Sequence, residues 1–387
     1  MQKHGNTPRR ANVRHLTSMK ILFVNNFRSR GGGEEFLREL LPGLVQKGVK
    51  VGLVCRPNTP LVDMFPASGV EIYPIDRSGN HAITSVLKIA SIIRREGYEL
   101  VNIQRGHDII QSWMGAMAAR TKPVLMYTPQ VPEFLRSRFL LRRMDAIATI
   151  SRYIRDRLTV FDPTLAPRTT IVYYGIDLDK FTPAAVPRGA LRKRFGLASG
   201  TPVIGTVGDL WKNQIEFLDT LSLVRKRFPD ARYAIVGTDS GSPAVDAFKR
   251  RAEELGLAGS VLWPGRLSKD DMLAFYADID LAVSTYRNEG FGIWILEAMA
   301  MGRPVIAYNA GGIKDSLEGS PCGTLVDGGA EEMAAALTGL LDNKSQLKAM
   351  SEAAPLWVRE RYNRQRMIDD YERYFRSLLA ARKGQPG

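Results

Sequence analysis

The stretch EGFGIWILEAMAMGRPVIAYNAGG, residues 289–312, places two carboxylates, Glu289 and Glu297, around a Gly290-Phe291-Gly292 turn that leads into an apolar helix. A helix start combines unpaired backbone N–H groups with the positive end of the helix dipole, so the turn and the following Ile293 can face an anion such as a diphosphate. Glu297, one to two turns into the helix, can accept hydrogen bonds from two vicinal hydroxyls, as in a ribose. Its neighbours, IWILEAMAM, are otherwise apolar, and a carboxylate in such company is normally paired. Glu289 can meet a sugar, or it can simply cap the turn. A strand is expected over Pro304–Asn309, after which Gly311 and Gly312 let a second backbone segment approach closely. Taken together, the stretch can hold one sugar nucleotide.

Outward from it, short apolar runs alternate with longer helical or loop segments. The first set is Ile21–Val24, Val49–Cys55, Leu100–Ile103, Val124–Tyr127, Ala146–Ile150 and Thr170–Tyr173. The second is Val203–Val207, Tyr233–Val236, Val261–Trp263, Leu281–Ser284 and Val305–Ala307. This pattern predicts an α/β protein with two Rossmann-like, doubly wound parallel sheets. The expected divisions are a basic leader at 1–18, disordered and ahead of Met19, an N-terminal domain at 19–182, and a C-terminal domain at 183–354. Two prolines in FTPAAVPRG, residues 181–189, mark the linker. A helix near 355–380 follows. Ligands of open α/β sheets bind beyond the carboxyl ends of the strands, so the cleft between the domains is the expected site.

Bulk properties agree with a globular protein of more than one domain. The chain has 387 residues, 44% of them hydrophobic. No apolar run reaches the roughly 18–20 residues of a membrane span, and the leader lacks the apolar core of a secretory signal. Cys55 and Cys322, one in each half, argue for a reducing compartment and hence a cytoplasmic location. The net charge of +14 is uneven: residues 1–180 carry 27 Lys and Arg against 15 Asp and Glu. An anionic partner of the N-terminal half is implied. Within it, Phe134–Arg143, FLRSRFLLRR, sets Arg136, Arg138, Arg142 and Arg143 among apolar residues, a pattern that suits either an acidic membrane surface or a surface helix packed on the core. Nucleic acid is not expected, because net charge is unaccompanied by a zinc-ligand spacing, an RNA-binding aromatic motif or a helix-turn-helix signature.

The two-glutamate string followed by AMAMGRPVIAYNAGGIKD resembles the group 1 (family 4) retaining glycosyltransferases, which have the two-domain GT-B fold. Supporting pieces extend along nearly the whole chain: Ile21–Gly33, VYYGIDLDKF, VGDLWKNQ, WPGRLSKDDMLAFYADIDLAVSTY and GTLVDGG. The resemblance implies transfer of a sugar, with retention, from a UDP- or GDP-linked donor to a glycan or lipid-linked acceptor in cell-surface polysaccharide assembly. The acceptor would sit in the basic N-terminal half, and peripheral contact with the inner face of the plasma membrane is implied with it. No further cofactor is implied.

Carried over residue by residue, the resemblance makes Glu289 the residue that touches the donor sugar, Glu297 the ribose ligand and Lys212 the counter-charge of the diphosphate. Asp209 stands where the family usually has arginine. Arg266 is a second candidate cation, with a salt bridge to Asp270 or Asp271 as its alternative. Gly31, Gly32 and Gly33 match the glycine-rich loop that approaches donor or acceptor, and a plain turn is the alternative. His107 corresponds to a histidine facing the cleft and is a candidate catalytic residue, with a hydrogen-bonded loop residue as its alternative, whereas Gln130 replaces another histidine and cannot transfer a proton. There is no Asp-x-Asp string or histidine cluster, so metal independence is expected. Trp294 reads as core. A nucleotide-sugar epimerase of the same fold and a silent nucleotide-binding protein are the competing readings.

Overall fold

In the first sheet seven parallel strands lie in the order β3-β2-β1-β4-β5-β6-β7. They are β1 Lys20–Asn25, β2 Lys50–Cys55, β3 Glu71–Pro74, β4 Leu100–Ile103, β5 Val124–Tyr127, β6 Ala146–Thr149 and β7 Thr169–Ile171. The second sheet has six, β10-β9-β8-β11-β12-β13: β8 Val203–Val207, β9 Arg232–Val236, β10 Val261–Gly265, β11 Leu281–Ser284, β12 Val305–Tyr308 and β13 Gly323–Val326. This computed structural model describes residues 19–27, 31–76, 82–133, 137–237 and 243–384. The expected leader and Arg136 lie outside the described residues.

The central strands are buried along their whole length because helices cover both faces, which is why they read as continuous apolar runs. Each expected strand is present within two residues. Two of the four edge strands, β3 and β13, were not expected. The first, EIYP, contains a glutamate and a proline, and neither strand is fully buried. In both sheets the winding reverses beside the first strand, between β1 and β4 and between β8 and β11. Loops after those strands therefore converge on a crevice.

Helices α1 Gly32–Gln46, α2 Ala82–Glu96, α3 Ile109–Ala119, α4 Arg138–Leu141 and α5 Arg152–Phe161 belong to the first half. The second half has α6 Ala190–Arg194, α7 Glu216–Arg227, α8 Pro243–Glu254, α9 Lys269–Asp278, α10 Ile293–Ala300, α11 Ile313–Leu317, α12 Ala330–Asp342 and α13 Lys344–Arg361. The last helix, α14 Arg364–Lys383, returns to the first sheet. There Tyr371 meets Phe36 at 5.3 Å between ring centroids and Phe375 meets Phe23 at 6.1 Å.

The C-terminal helix expected near 355–380 is thus two helices, interrupted at Asn363, whose side chain accepts a hydrogen bond from the Arg366 N–H at 2.7 Å and caps α14. At the interruption the chain crosses between the domains alongside its earlier crossing. Ile176 N–H donates to Tyr362 O at 2.8 Å and Arg364 N–H donates to Ile176 O at 2.9 Å.

Candidate active site

The glycine turn before α10 is built by backbone alone. Gly292 takes φ +84, a conformation that favours glycine, and caps α10 without a side chain, so the first N–H groups of the helix have no side-chain acceptor. The loop after β12 braces the turn: Gly312 N–H donates to Glu289 O at 2.7 Å. At the mouth of the turn Lys212 Nζ donates to Glu289 Oε2 at 2.9 Å, and Gly290 N–H donates to the other oxygen at 3.2 Å. Lys212 also lies 5.7 Å and 5.5 Å from the ring centroids of Trp211 and Tyr286. Both partners of the pair are partly shielded from water, so the cation and anion neutralise each other until a stronger anion competes for the lysine.

A little over one turn into α10, Glu297 accepts a hydrogen bond from Tyr276 Oη at 2.7 Å. Burial raises its pKa to about 7 and the Glu35 carboxylate adds to the rise, while the Tyr276 hydroxyl opposes it. Its side chain is bonded to α9, feels the Glu35 carboxylate at the start of α1, and keeps part of its surface exposed.

The N-terminal domain supplies the facing wall. Glu34, in the first turn of α1 and 1% exposed, accepts from Asn25 Nδ2 at 3.0 Å and from the Arg105 guanidinium at 3.1 Å. Gln130 Nε2 donates to Gln104 Oε1 at 3.2 Å, and Gln104 in turn donates to Asn102. Several polar atoms of this wall have no hydrogen-bond partner among the described residues: Asn26 Oδ1, Glu34 Oε2, Asn102 Nδ2, Arg105 Nε, Thr128 Oγ1 and Gln130 Oε1. Buried polar groups are nearly always hydrogen-bonded, and this mixture of donors and acceptors suits hydroxyls, which serve as both. The two walls meet closely. A Cβ on Gly32 would lie 3.3 Å from Ile293 Cδ1, and one on Gly290 would lie 2.9 Å from Gln130 O.

Profiles of two related families together cover most of the chain: "Glycosyl transferases group 1" matches residues 187–357 and "Glycosyltransferase Family 4" residues 30–180. Among curated proteins, the GDP-mannose-dependent alpha-(1-6)-phosphatidylinositol monomannoside mannosyltransferase of Mycolicibacterium smegmatis is 31% identical over 375 residues, covering 87% of this chain and 93% of the relative. The chain belongs to the group 1 glycosyltransferases. A lipopolysaccharide core biosynthesis mannosyltransferase of Rhizobium meliloti is 31% identical to this glycosyltransferase over 229 residues, 58% of each chain. In fold it matches a glycosyltransferase from Rickettsia africae with a TM-score of 0.82 at 20% identity, covering 94% of this chain and 99% of the other. It also matches Anabaena HepE, solved in complex with UDP and glucose, with a TM-score of 0.79 at 19% identity, covering 93% and 100%. These likenesses assign the GT-B architecture.

In this glycosyltransferase Glu289, Lys212, Gly290, Gly292, Ile293, Gly31, Gly32, Gly33 and Gln130 converge on one cleft, with Glu297 beside them on α10. Other expected positions need correction. The Phe291 side chain is 1% exposed and stacks on Tyr173 at 5.9 Å, so it anchors the turn to the crossing segment and leaves only its backbone for a ligand. His107 is exposed and makes no hydrogen bond to a described residue; Arg105 and Gln104, from the same loop, are the ones that turn inward. Arg266 is exposed after the edge strand β10, two strands from the winding reversal, and pairs with neither Asp270 nor Asp271 among the described residues.

Of the basic segment, residues 138–141 form the short helix α4, with Leu141 buried and Arg138 and Phe139 exposed. Arg138 donates to Phe161 O at 2.9 Å and Arg142 pairs with the buried Asp162 at 2.7 Å, so both serve their own domain. Arg143 lies over the Phe139 and Trp113 rings. Among the described residues no three His, Cys, Asp or Glu side chains gather into a metal-binding group.

Glu34, Asn25, Asn102 and Arg105 were missed by sequence reasoning. The signal for Glu34 was present, since it lies on the apolar stripe of α1 with Leu37, Leu41 and Leu44, as Glu297 does on α10.

A clasp joins the domains beside the turn. Arg152 pairs with the buried Asp315 and with Glu318, and Tyr153 Oη donates to Asn288 Oδ1 at 2.6 Å. A cavity of about 420 Å³ opens at this clasp, lined by both signs of charge, but neither Glu289, Glu297 nor Lys212 is in its wall.

Proposed function

We propose that this enzyme moves a hexosyl group, with retention at the anomeric carbon and without a metal ion, from a UDP- or GDP-sugar to a hydroxyl of a lipid-linked or glycan acceptor. The place of that reaction would be cell-surface polysaccharide assembly at the cytoplasmic side of the membrane. The observation that carries the reading is the Lys212–Glu289 pair set beside the uncapped start of α10, with Glu297 a little further along the same helix. A diphosphate arriving there meets the lysine and the first N–H groups of α10. It takes the lysine from Glu289, which is then free to meet the sugar. Charge developing on the departing phosphate is met by the same groups. The oxygen that leaves the sugar can accept the acceptor's proton, so no separate base is required of Gln130. The wall formed by Glu34, Arg105 and Gln130 is offered to the acceptor's hydroxyls.

The donor base is tested by thermal shift with UDP, GDP, ADP and CMP and their sugar conjugates, with and without EDTA. The mycobacterial relatives, by name GDP-mannose-dependent, make GDP-mannose the first donor to try. A ligand at about a hundredfold over its Kd adds about 2.7 kcal/mol of stability. One base that raises the midpoint by several degrees, unaffected by EDTA, is the expected result. A shift that needs a divalent ion overturns metal independence, and no shift with any nucleotide overturns the donor site.

Proton release reports on Glu297 separately. With a pKa near 7 its carboxyl is about half protonated at neutral pH, and ribose hydroxyls donate to the charged form. Binding then lowers the pKa and expels a proton, so nucleotide affinity rises between pH 6 and pH 8. Calorimetry in two buffers of different ionisation enthalpy should give different heats for the parent and equal heats for Glu297→Gln. Equal heats for the parent would remove Glu297 from the ribose site.

A further inference from the structure

More than half of the large hydrophobic side chains that stand exposed among the described residues lie on one face of the N-terminal domain. On α3 they are Ile110, Met114 and Met117, spaced to form a single stripe, and on α2 they are Ile83 and Leu87, 76% and 61% exposed. The two helices pack so tightly that a Cβ on Gly115 would lie 2.7 Å from Ile89 Cγ2, which makes the two stripes parts of one surface. Phe139 of α4 adjoins it through Trp113, with the rings edge to face at 5.9 Å.

The exposed charges around this surface are predominantly basic. Residues 82–96 and 109–122 contain Lys88, Arg94, Arg95, Arg120 and Lys122 against a single acidic residue, the partly buried Glu96, which pairs with Arg95 and Lys50. All five are exposed, and apart from Arg95 none has an ion-pair partner among the described residues. Arg143 caps the end of the surface, its guanidinium 4.7 Å from the Phe139 ring centroid and 5.7 Å from that of Trp113.

We infer that the outer face of α2 and α3 docks on an anionic lipid bilayer. An apolar centre with long basic side chains at its rim is what an interfacial surface needs: the aliphatic and thioether groups enter the acyl boundary while the cations stay with acidic headgroups. Met114 and Met117 adapt to an irregular apolar medium, and an aromatic ring beside a cation suits the headgroup layer. A second copy of the chain fits poorly, because a twofold contact through this face would set the basic rim against itself. No described helix is long or apolar enough to cross a membrane, so the contact is peripheral.

The location serves the cleft. α3 starts directly after the turn Gly106–Asp108, and the preceding residue, Arg105, holds Glu34 in the acceptor wall. A bilayer on this face therefore lies next to the side of the cleft that faces the acceptor. The biological sense of the surface rests on the proposed lipid-linked acceptor, but its physical test does not.

The test is co-sedimentation of the full chain, without donor or acceptor, with vesicles of phosphatidylcholine alone and of phosphatidylcholine mixed with phosphatidylglycerol. Binding to the acidic vesicles that weakens steeply with salt, and little binding to the neutral ones, is expected. Reversing three rim charges together (Lys88→Glu, Arg120→Glu, Lys122→Glu) should weaken partition at least about a hundredfold. Leu87→Gln with Met117→Gln should abolish it without changing the charge of the rim.

Both sets leave the cleft intact, so their nucleotide-induced thermal shift should equal that of the parent. This separates failure of the membrane surface from failure of the donor site. Equal binding to neutral and acidic vesicles, no binding to either, or unimpaired binding by both variants overturns the inference. So does a parent dimer that the Leu87 and Met117 changes dissolve, which would assign the face to a second copy.

Discussion

Lys212→Ala and Glu289→Ala each lower sugar transfer by about a hundredfold or more, and they do so for different reasons. Lys212 is hydrogen-bonded to Glu289 at the mouth of the glycine turn, so its loss removes a charge from the position where phosphate charge develops. That loss falls on the donor in both ground and transition state, so KM for the donor rises as kcat falls. The nucleotide-induced thermal shift shrinks as well.

Glu289→Ala removes the competitor for the lysine. The diphosphate then binds at least as well as before, and the thermal shift survives while transfer collapses. Because the two side chains are paired only until the donor takes the lysine, the double variant should cost at least as much as the two losses combined. Unchanged transfer in either single variant would remove that residue from the reaction. A lost thermal shift in Glu289→Ala would make the glutamate a structural support of the turn instead.

How far the sequence revealed this arrangement depended on whether each signal was local. The inner strands were legible because helices cover both faces of each sheet, which forces continuous apolar runs such as LVNI and VLMY. Edge strands escape that demand, and EIYP at β3 reads like a loop. Glu297 stood out as a charge on an apolar helix, and the same argument reaches Glu34, which was overlooked beside three conspicuous glycines.

Charge runs misled where the partner was distant in the chain. Arg142 finds the buried Asp162, and Arg138 finds the Phe161 carbonyl, so neither is free to form a basic membrane helix. The exposed apolar face was illegible for the complementary reason. It is assembled from α2 and α3, separated by β4, and each contributes too few exposed side chains to be remarked upon alone. Phe291 shows the limit of motif reading: the turn carries the motif, yet its ring is spent on Tyr173 and Tyr362 at the domain crossing.

Gly312→Ala should abolish transfer although it adds one methyl group and touches no reacting atom. The residue has φ −79 and ψ −6, which any amino acid adopts, so the glycine is required by space and not by conformation. A Cβ there would lie 2.0 Å from Gly290 O, 2.5 Å from Gly290 C and 3.1 Å from Glu289 O, all backbone. Real Cβ atoms essentially never come within 3.0 Å of such neighbours, so the two strands of the site must separate by about 1 Å. The Gly312 N–H bond to Glu289 O, 2.7 Å long, is then stretched, and the turn that aims Glu289 and starts α10 shifts with it. Misplacement of about 1 Å is enough for a hundredfold loss of rate, and overpacking of this kind costs about 1–3 kcal/mol of stability. For a domain of this size that is a fall of several degrees in the thermal midpoint. Gly339→Ala in α12 is the control: nothing lies within 4 Å of its added Cβ, and alanine favours the helix, so the midpoint should hold or rise slightly and transfer should be unchanged. Full activity in Gly312→Ala would mean that the loop after β12 yields without moving the turn, and the close backbone packing would lose its part in holding Glu289 in place.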